Sequence, residues 1–142
     1  MRRHANDRRT ARNRARPKYG DDIQAWEHRL IRQCEACIES IRLAIALARK
    51  PGTRLHVLHI SSAHELALLE PGPIKYQDGS RKQITAETCV HFLHFDNSDR
   101  AWLGVLIKCN PTIKTAADRE VIIKALAEGR TDVLAIDHAY TC

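Results

Sequence analysis

Between residues 35 and 49 apolar side chains recur at spacings of three and four: Ile38, Ile41, Ala44 or Ile45, then Ala48. This pattern predicts a helix from about Ile23 to Lys50. Arg49 and Lys50 suit its C-terminus, and Pro51-Gly52 stops it. The run RLHVLHI, bounded by PGT and SSA, is β-branched and apolar and predicts a strand. Ser61-Ser62 then caps a helix over AHELALL, with Glu65 in the first turn, and Pro71-Gly72-Pro73 ends it. Residues 74–81 form a turn-rich link. Lys82 to Cys89 (KQITAETC) predicts a second strand, whereas VHFLHF fits either strand or loop. After a polar turn at Asp96 to Asp99 comes a further apolar stretch, Leu103 to Lys108, ending at Cys109-Asn110-Pro111. Thr115 caps a helix whose apolar positions are Val121, Ile122, Ala125 and Leu126, with Gly129 as its stop. Asp132 to Ile136 predicts a short strand of the buried type, delivering Asp137-His138.

The order is helix, strand, helix, strand, irregular stretch, helix, strand. Such alternation predicts βα units and a parallel sheet. Nothing repeats at a fixed period. In a parallel sheet the C-terminal strand ends share one face, so topology alone brings His59 and Asp137 to the same rim. His56, three residues before His59, is expected on the opposite strand face and is read as structural.

With 142 residues the chain is long enough for one domain with a core. No run of about 18 apolar residues is present, so no membrane helix is expected. The start, MRRHANDRRTARNRARPK, has no apolar segment and is not a secretory signal. The net charge of +6 is local: residues 1–20 hold seven Arg and one Lys against Asp7 alone, and the remainder is near neutral. Nucleic-acid binding would therefore rest on that leader; it is kept as an alternative, not as the expected function. The cysteines, Cys34, Cys37, Cys89, Cys109 and Cys142, are odd in number. Without a secretion signal they imply free thiols and a cytoplasmic, reducing setting. Cys34 and Cys37 fall within a helical pattern and are read as two helix cysteines.

Three stretches, TRLHVLHISSA, KQITAETCVHFLHF and IKCNPTIKTAADREVIIKALAEGRTDVLAIDHA, carry in order H-V-x-H-[VI]-S, T-A-E-x-x-x-H, K-x-N-P-x-[LI]-[RK]-[ST]-x-x-D-R and a form of A-T-D-H-A-P-H. From about Tyr19 to Ala139 the chain resembles dihydroorotase, of the cyclic amidohydrolase superfamily. The resemblance implies an α/β fold: part of a metal-dependent (β/α)8 TIM barrel that lacks its first strands, spanning residues 21–142 behind a basic, poorly ordered leader at 1–20. It implies a zinc-dependent hydrolase of a cyclic amide, interconverting dihydroorotate and carbamoyl aspartate in pyrimidine synthesis. By the same resemblance His59 is a metal ligand, Asp137 is the metal-bound acid/base, and Asn110 holds the small-molecule substrate. His4, in His4-Ala5-Asn6-Asp7, stands where the family has a further ligand in H-C-E-D. His91 and His94 fall in the T-A-E segment and are read as non-ligands.

The chain also departs from the family. The first-strand H-x-H pair and the mid-barrel bridging ligand are absent, and Thr141 replaces a substrate-contacting His. These losses predict an incomplete zinc site without an outer shell, and a chain inactive by itself. Its expected partners are dihydroorotate and either a second copy of the chain or a complementing barrel fragment, with no membrane; a truncated, inactive product is the alternative. If His59 and Asp137 share one metal, their ligand atoms should lie within roughly 4 Å of each other.

Overall fold

The computed structural model describes residues 34–138. The leader at 1–20 with His4, the predicted helix start near Ile23, and Thr141 lie outside the described residues. Helix α1 (Cys34–Arg49) buries Cys37, Ile41, Ile45 and Ala48, a stripe at spacings of three and four. It ends as predicted: Gly52 takes φ +68, and Thr53 donates back to the Ala48 carbonyl at 3.0 Å. Strand β1 (Leu55–Val57) and helix α2 (Ala63–Leu66) follow. Then come strand β2 (Ile84–Cys89), helix α3 (Val90–His94), helix α4 (Arg100–Leu103) and a 3-10 turn at Gly104–Ile107. Helix α5 (Ala116–Ala127) and strand β3 (Val133–Ala135) complete the described chain. Among the described residues, no helix is long and apolar enough to cross a membrane.

The three strands form one parallel sheet in the order β1-β2-β3. Leu55 pairs with Ile84 and Val57 with Ala86; Glu87 pairs with Val133 and Cys89 with Ala135. The core lies between sheet and helices. Val57, Ile60, Ala86, Cys89, Phe92, Ile113 and Ile122 are all buried within it.

Three polar knots fix the connections. Glu65, 2% exposed, accepts from the backbone N–H groups of Ser61 and Ser62, both at 2.8 Å, and from both serine hydroxyls. A buried carboxylate held by four donors tolerates the loss of water. Asp118 closes a capping box with Thr115 and also accepts from the Ala63 N–H at 2.9 Å, tying the start of α5 to the start of α2. Lys82 and Asp132 form a buried ion pair at 2.9 Å. The second Asp132 oxygen accepts from the Ala86 N–H at 2.8 Å, which seats β3 beside β2.

Three predicted elements differ. The helix after Ser62 is only four residues long, because Leu68 and Leu69 bond three residues back and tighten it into a turn. VHFLHF, read as strand or loop, is mostly helix α3: β2 ends at Cys89 and Phe92 turns into the core. Strand β3 is not buried. Val133 is 39% and Leu134 47% exposed, because β3 is an edge strand of the described sheet.

Candidate active site

In a parallel sheet the three strand ends meet at one rim, and β2 stands in the middle. Strand residues two apart share a face, so Thr85, Glu87 and Cys89 form one column on β2. His56 pairs with Thr85 in register and reaches that column: Nδ1 lies 2.8 Å from Thr85 Oγ1 and Nε2 3.2 Å from Glu87 Oε2.

His59 arrives at the same column by a different route. Strand β1 stops at Val57, and His59 adopts φ +60, in the left-handed region. Such a backbone costs a non-glycine residue about 1–3 kcal/mol and persists only where its neighbours impose it. Here they do. The Ile60 N–H donates to the Glu87 carbonyl at 2.8 Å, the Thr88 hydroxyl donates to the Ile60 carbonyl at 2.9 Å, and the Glu65 knot holds Ser61 and Ser62. The turn swings the imidazole over β2, where Nδ1 lies 3.0 Å from Cys89 Sγ and 3.4 Å from Glu87 Oε1. The expectation that His56 and His59 face opposite ways therefore fails. The period-2 rule ends where the strand ends, and both histidines meet Glu87.

Asp137 is the other non-glycine residue with positive φ among the described residues, at +50. It lies two positions past Ala135, the partner of Cys89. Its carboxylate approaches His59 from the outer side, with Oδ1 3.6 Å from His59 Nε2. The His59 side chain is 12% exposed and that of Asp137 46%, so the pair sits at the mouth of the site. The two atoms fall within the separation expected of two ligands on one zinc.

The donor chemistry fits a metal at this point. His59 stands between two carboxylates, Glu87 on the Nδ1 side and Asp137 on the Nε2 side, with Cys89 Sγ as the hydrogen-bond partner of Nδ1. The tautomer with its proton on Nδ1 presents the Nε2 lone pair to Asp137, an arrangement that a bound cation satisfies. A ligating histidine commonly gives its second N–H to a carboxylate in this way. Glu87 and Cys89 flank His59, where outer-shell partners of a ligating histidine stand. Neither was singled out from sequence, although the alternation in Thr85-Ala86-Glu87-Thr88-Cys89 places both beside the end of β1.

The remaining groups define the surroundings. Burial pushes the Cys89 thiol up to about 12, with the charges of Asp137 and Glu87 adding to the effect, so it is a neutral thiol. Burial also raises Cys109, with Asp137 contributing in the same direction against Lys114 and Arg100. Burial lowers His91, which also feels Asp137 and His59. Asn110 is half-buried and directly follows Cys109, whose thiol feels the charge of Asp137. His4 lies outside the described residues. The motif residues Asp118 and Arg119 have structural partners: Asp118 caps α5, and Arg119 pairs with Asp96 at 2.7 Å and donates to the His94 carbonyl.

No family model matches the chain. Curated relatives do match. An allantoinase of Bacillus velezensis is 36% identical over 105 residues, covering 74% of this chain and 22% of the relative. Allantoinases of Deinococcus radiodurans and Arabidopsis thaliana are 33% and 34% identical, covering 72% and 82% of this chain and again 22% of each relative. The chain thus spans about a fifth of the length of these relatives. Among solved structures, D-hydantoinase from Bacillus sp. AR9 superposes with a TM-score of 0.74 at 23% identity, covering 94% of this chain and 28% of that one. The L-hydantoinase (dihydropyrimidinase) of Arthrobacter aurescens gives 0.70 at 23% identity, covering 92% and 27%. The fold is the expected one, a parallel α/β segment matching about a quarter of such a barrel. These relatives are named allantoinases and hydantoinases, not dihydroorotases.

Proposed function

We propose that this chain, a partial homologue of the cyclic amidohydrolase superfamily, supplies the metal-holding and proton-moving side of a site that hydrolyses a cyclic amide. The observation that carries the reading is the approach of His59 Nε2 to Asp137 Oδ1 at 3.6 Å, each residue held in a left-handed backbone at a strand end. His59 through Nε2 and Asp137 through its carboxylate would hold zinc. A tetrahedral zinc needs further donors, for which His4 and groups beyond the described segment are the proposed source. When bound, zinc supplies Lewis acidity to the ring carbonyl and to the attacking water.

The chain's own residues do the rest. Glu87 and Cys89 orient the His59 ring. The Asp137 carboxylate, partly open to solvent, takes the proton of the attacking water and returns it to the ring nitrogen as the C–N bond opens. Asn110, in the turn beside Cys109, contacts the polar edge of the ring. The names of the relatives favour allantoin as the substrate. The K-x-N-P motif around Asn110 favours dihydroorotate, and with it pyrimidine synthesis and a reducing cytoplasm for the free thiols. A complementing part of the barrel is the proposed partner.

The test mixes the full chain and zinc with an upstream barrel segment of an allantoinase or dihydroorotase, and assays ring opening of allantoin and dihydroorotate. Turnover of one ring by the mixture, absent from either part alone and lost in Asp137→Asn, is expected. Turnover that survives Asp137→Asn unchanged would contradict the proton-moving role.

A further inference from the structure

The chain surrounds both nitrogens of His59 with donors. Nε2 faces Asp137, whereas Nδ1 faces a separate group. One ligand atom each from His59, Glu87 and Cys89 lies within 4.8 Å of the others. We infer that His59 Nδ1, the Glu87 carboxylate and Cys89 Sγ form a second metal site, one that takes soft, thiophilic divalent cations such as Cd2+. This site uses a different nitrogen from the one proposed above and stands whether or not Asp137 is a ligand.

Donor softness separates the two sides. A thiolate with an imidazole selects soft and borderline ions, while an imidazole and carboxylate pair has no such preference. The distances are close to those required. For an ion the size of zinc, bonds of about 2.0–2.1 Å to nitrogen and about 2.3 Å to sulfur set neighbouring ligand atoms roughly 3.3–3.7 Å apart, and the larger Cd2+ asks for a wider spacing. Nδ1 to Glu87 Oε1 is 3.4 Å and Nδ1 to Cys89 Sγ 3.0 Å, so binding must move the thiol outward by at least about half an ångström. His56 Nε2 lies 3.2 Å from the other Glu87 oxygen, Oε2, leaving Oε1 on the His59 side. Charge also balances. Binding forms Cd–S, Cd–N and Cd–O bonds; the cation displaces the proton of the neutral Cys89 thiol to solvent, and any proton on His59 Nδ1 moves to Nε2. The divalent cation, one thiolate and one carboxylate sum to zero, so no net charge is left in a buried place.

The consequence follows from the imidazole. A neutral ring has one lone pair, so metal on Nδ1 places the proton on Nε2, facing Asp137. A soft cation on the inner side then withdraws His59 from the outer one.

The test is a Cd2+ titration of the full chain under a non-thiol reductant, read by sulfur-to-cadmium charge-transfer absorption in the ultraviolet. A band saturating at one equivalent is expected in the natural chain and in Asp137→Asn. It should weaken at least tenfold in affinity in Glu87→Gln and disappear in Cys89→Ser. A second variant, in which Cys34, Cys37, Cys109 and Cys142 are all replaced by serine, leaves Cys89 as the sole thiol and should keep the band. Imidazole-nitrogen NMR of the loaded chain should show cadmium on Nδ1 and the proton on Nε2. A band that persists in Cys89→Ser, its absence from the variant with Cys89 alone, or cadmium on Nε2 would overturn the assignment.

Discussion

Replacing Asp132 with alanine is expected to cost about 3–5 kcal/mol of folding stability, the loss typical of breaking a buried ion pair from one side. The side chains of Lys82 and Asp132 are 5% and 1% exposed. Asp132 Oδ1 receives the Lys82 ammonium at 2.9 Å, and Oδ2 receives the Ala86 N–H at 2.8 Å. Without the carboxylate, the ammonium keeps, among the described residues, the Gly129 carbonyl at 3.3 Å, and the Ala86 N–H loses the Asp132 oxygen. A double variant, Lys82→Met with Asp132→Leu, should recover much of the loss, because it removes the uncompensated charge. Urea denaturation of the three chains measures this. The effect reaches the site as well: Asp132 seats β3, and β3 carries Asp137. A loss below about 1 kcal/mol for Asp132→Ala would mean that the pair is solvated, as surface pairs are.

Glu87→Gln is expected to weaken zinc binding by about 10–100-fold, the usual consequence of losing the outer partner of a ligating histidine. Glu87 stands between two imidazoles, with Oε2 3.2 Å from His56 Nε2 and Oε1 3.4 Å from His59 Nδ1. As an acceptor beside Nδ1 it favours the tautomer that turns the Nε2 lone pair toward Asp137, the one a zinc ligand needs. Glutamine keeps the shape, but its amide can donate and so removes that preference. Competition against a chromophoric chelator, with circular dichroism to check the fold, measures the change. Unaltered zinc affinity would assign the orientation of His59 to Cys89 alone.

Local signals served well wherever the chemistry was local. Thr115 with Asp118, Ser61-Ser62 with Glu65, and Pro51-Gly52 announce element ends through hydrogen-bonding capacity and backbone freedom that any sequence window shows. The parallel order followed from alternation, and with it the meeting of His59 and Asp137 at one rim. What escaped was tertiary in origin. VHFLHF has apolar content that suits a strand, but packing Phe92 into the core made it helix. The apolar run Asp132 to Ile136 looks buried, yet burial depends on neighbours that the described sheet does not supply. The convergence of His56 and His59 on Glu87 required a left-handed turn at His59, a conformation a histidine adopts only when its surroundings impose it.

The most direct test of the metal centre is zinc affinity across His59→Gln, Asp137→Asn and His91→Gln, measured on the full chain. His91 feels the charges of the site but is read as a non-ligand, and it serves as the neighbouring control. At least a tenfold loss is expected for His59→Gln and for Asp137→Asn, with His91→Gln unchanged. Zinc binding that is indifferent to Asp137→Asn, or that is lost in His91→Gln, would contradict a metal centre built on His59 and Asp137.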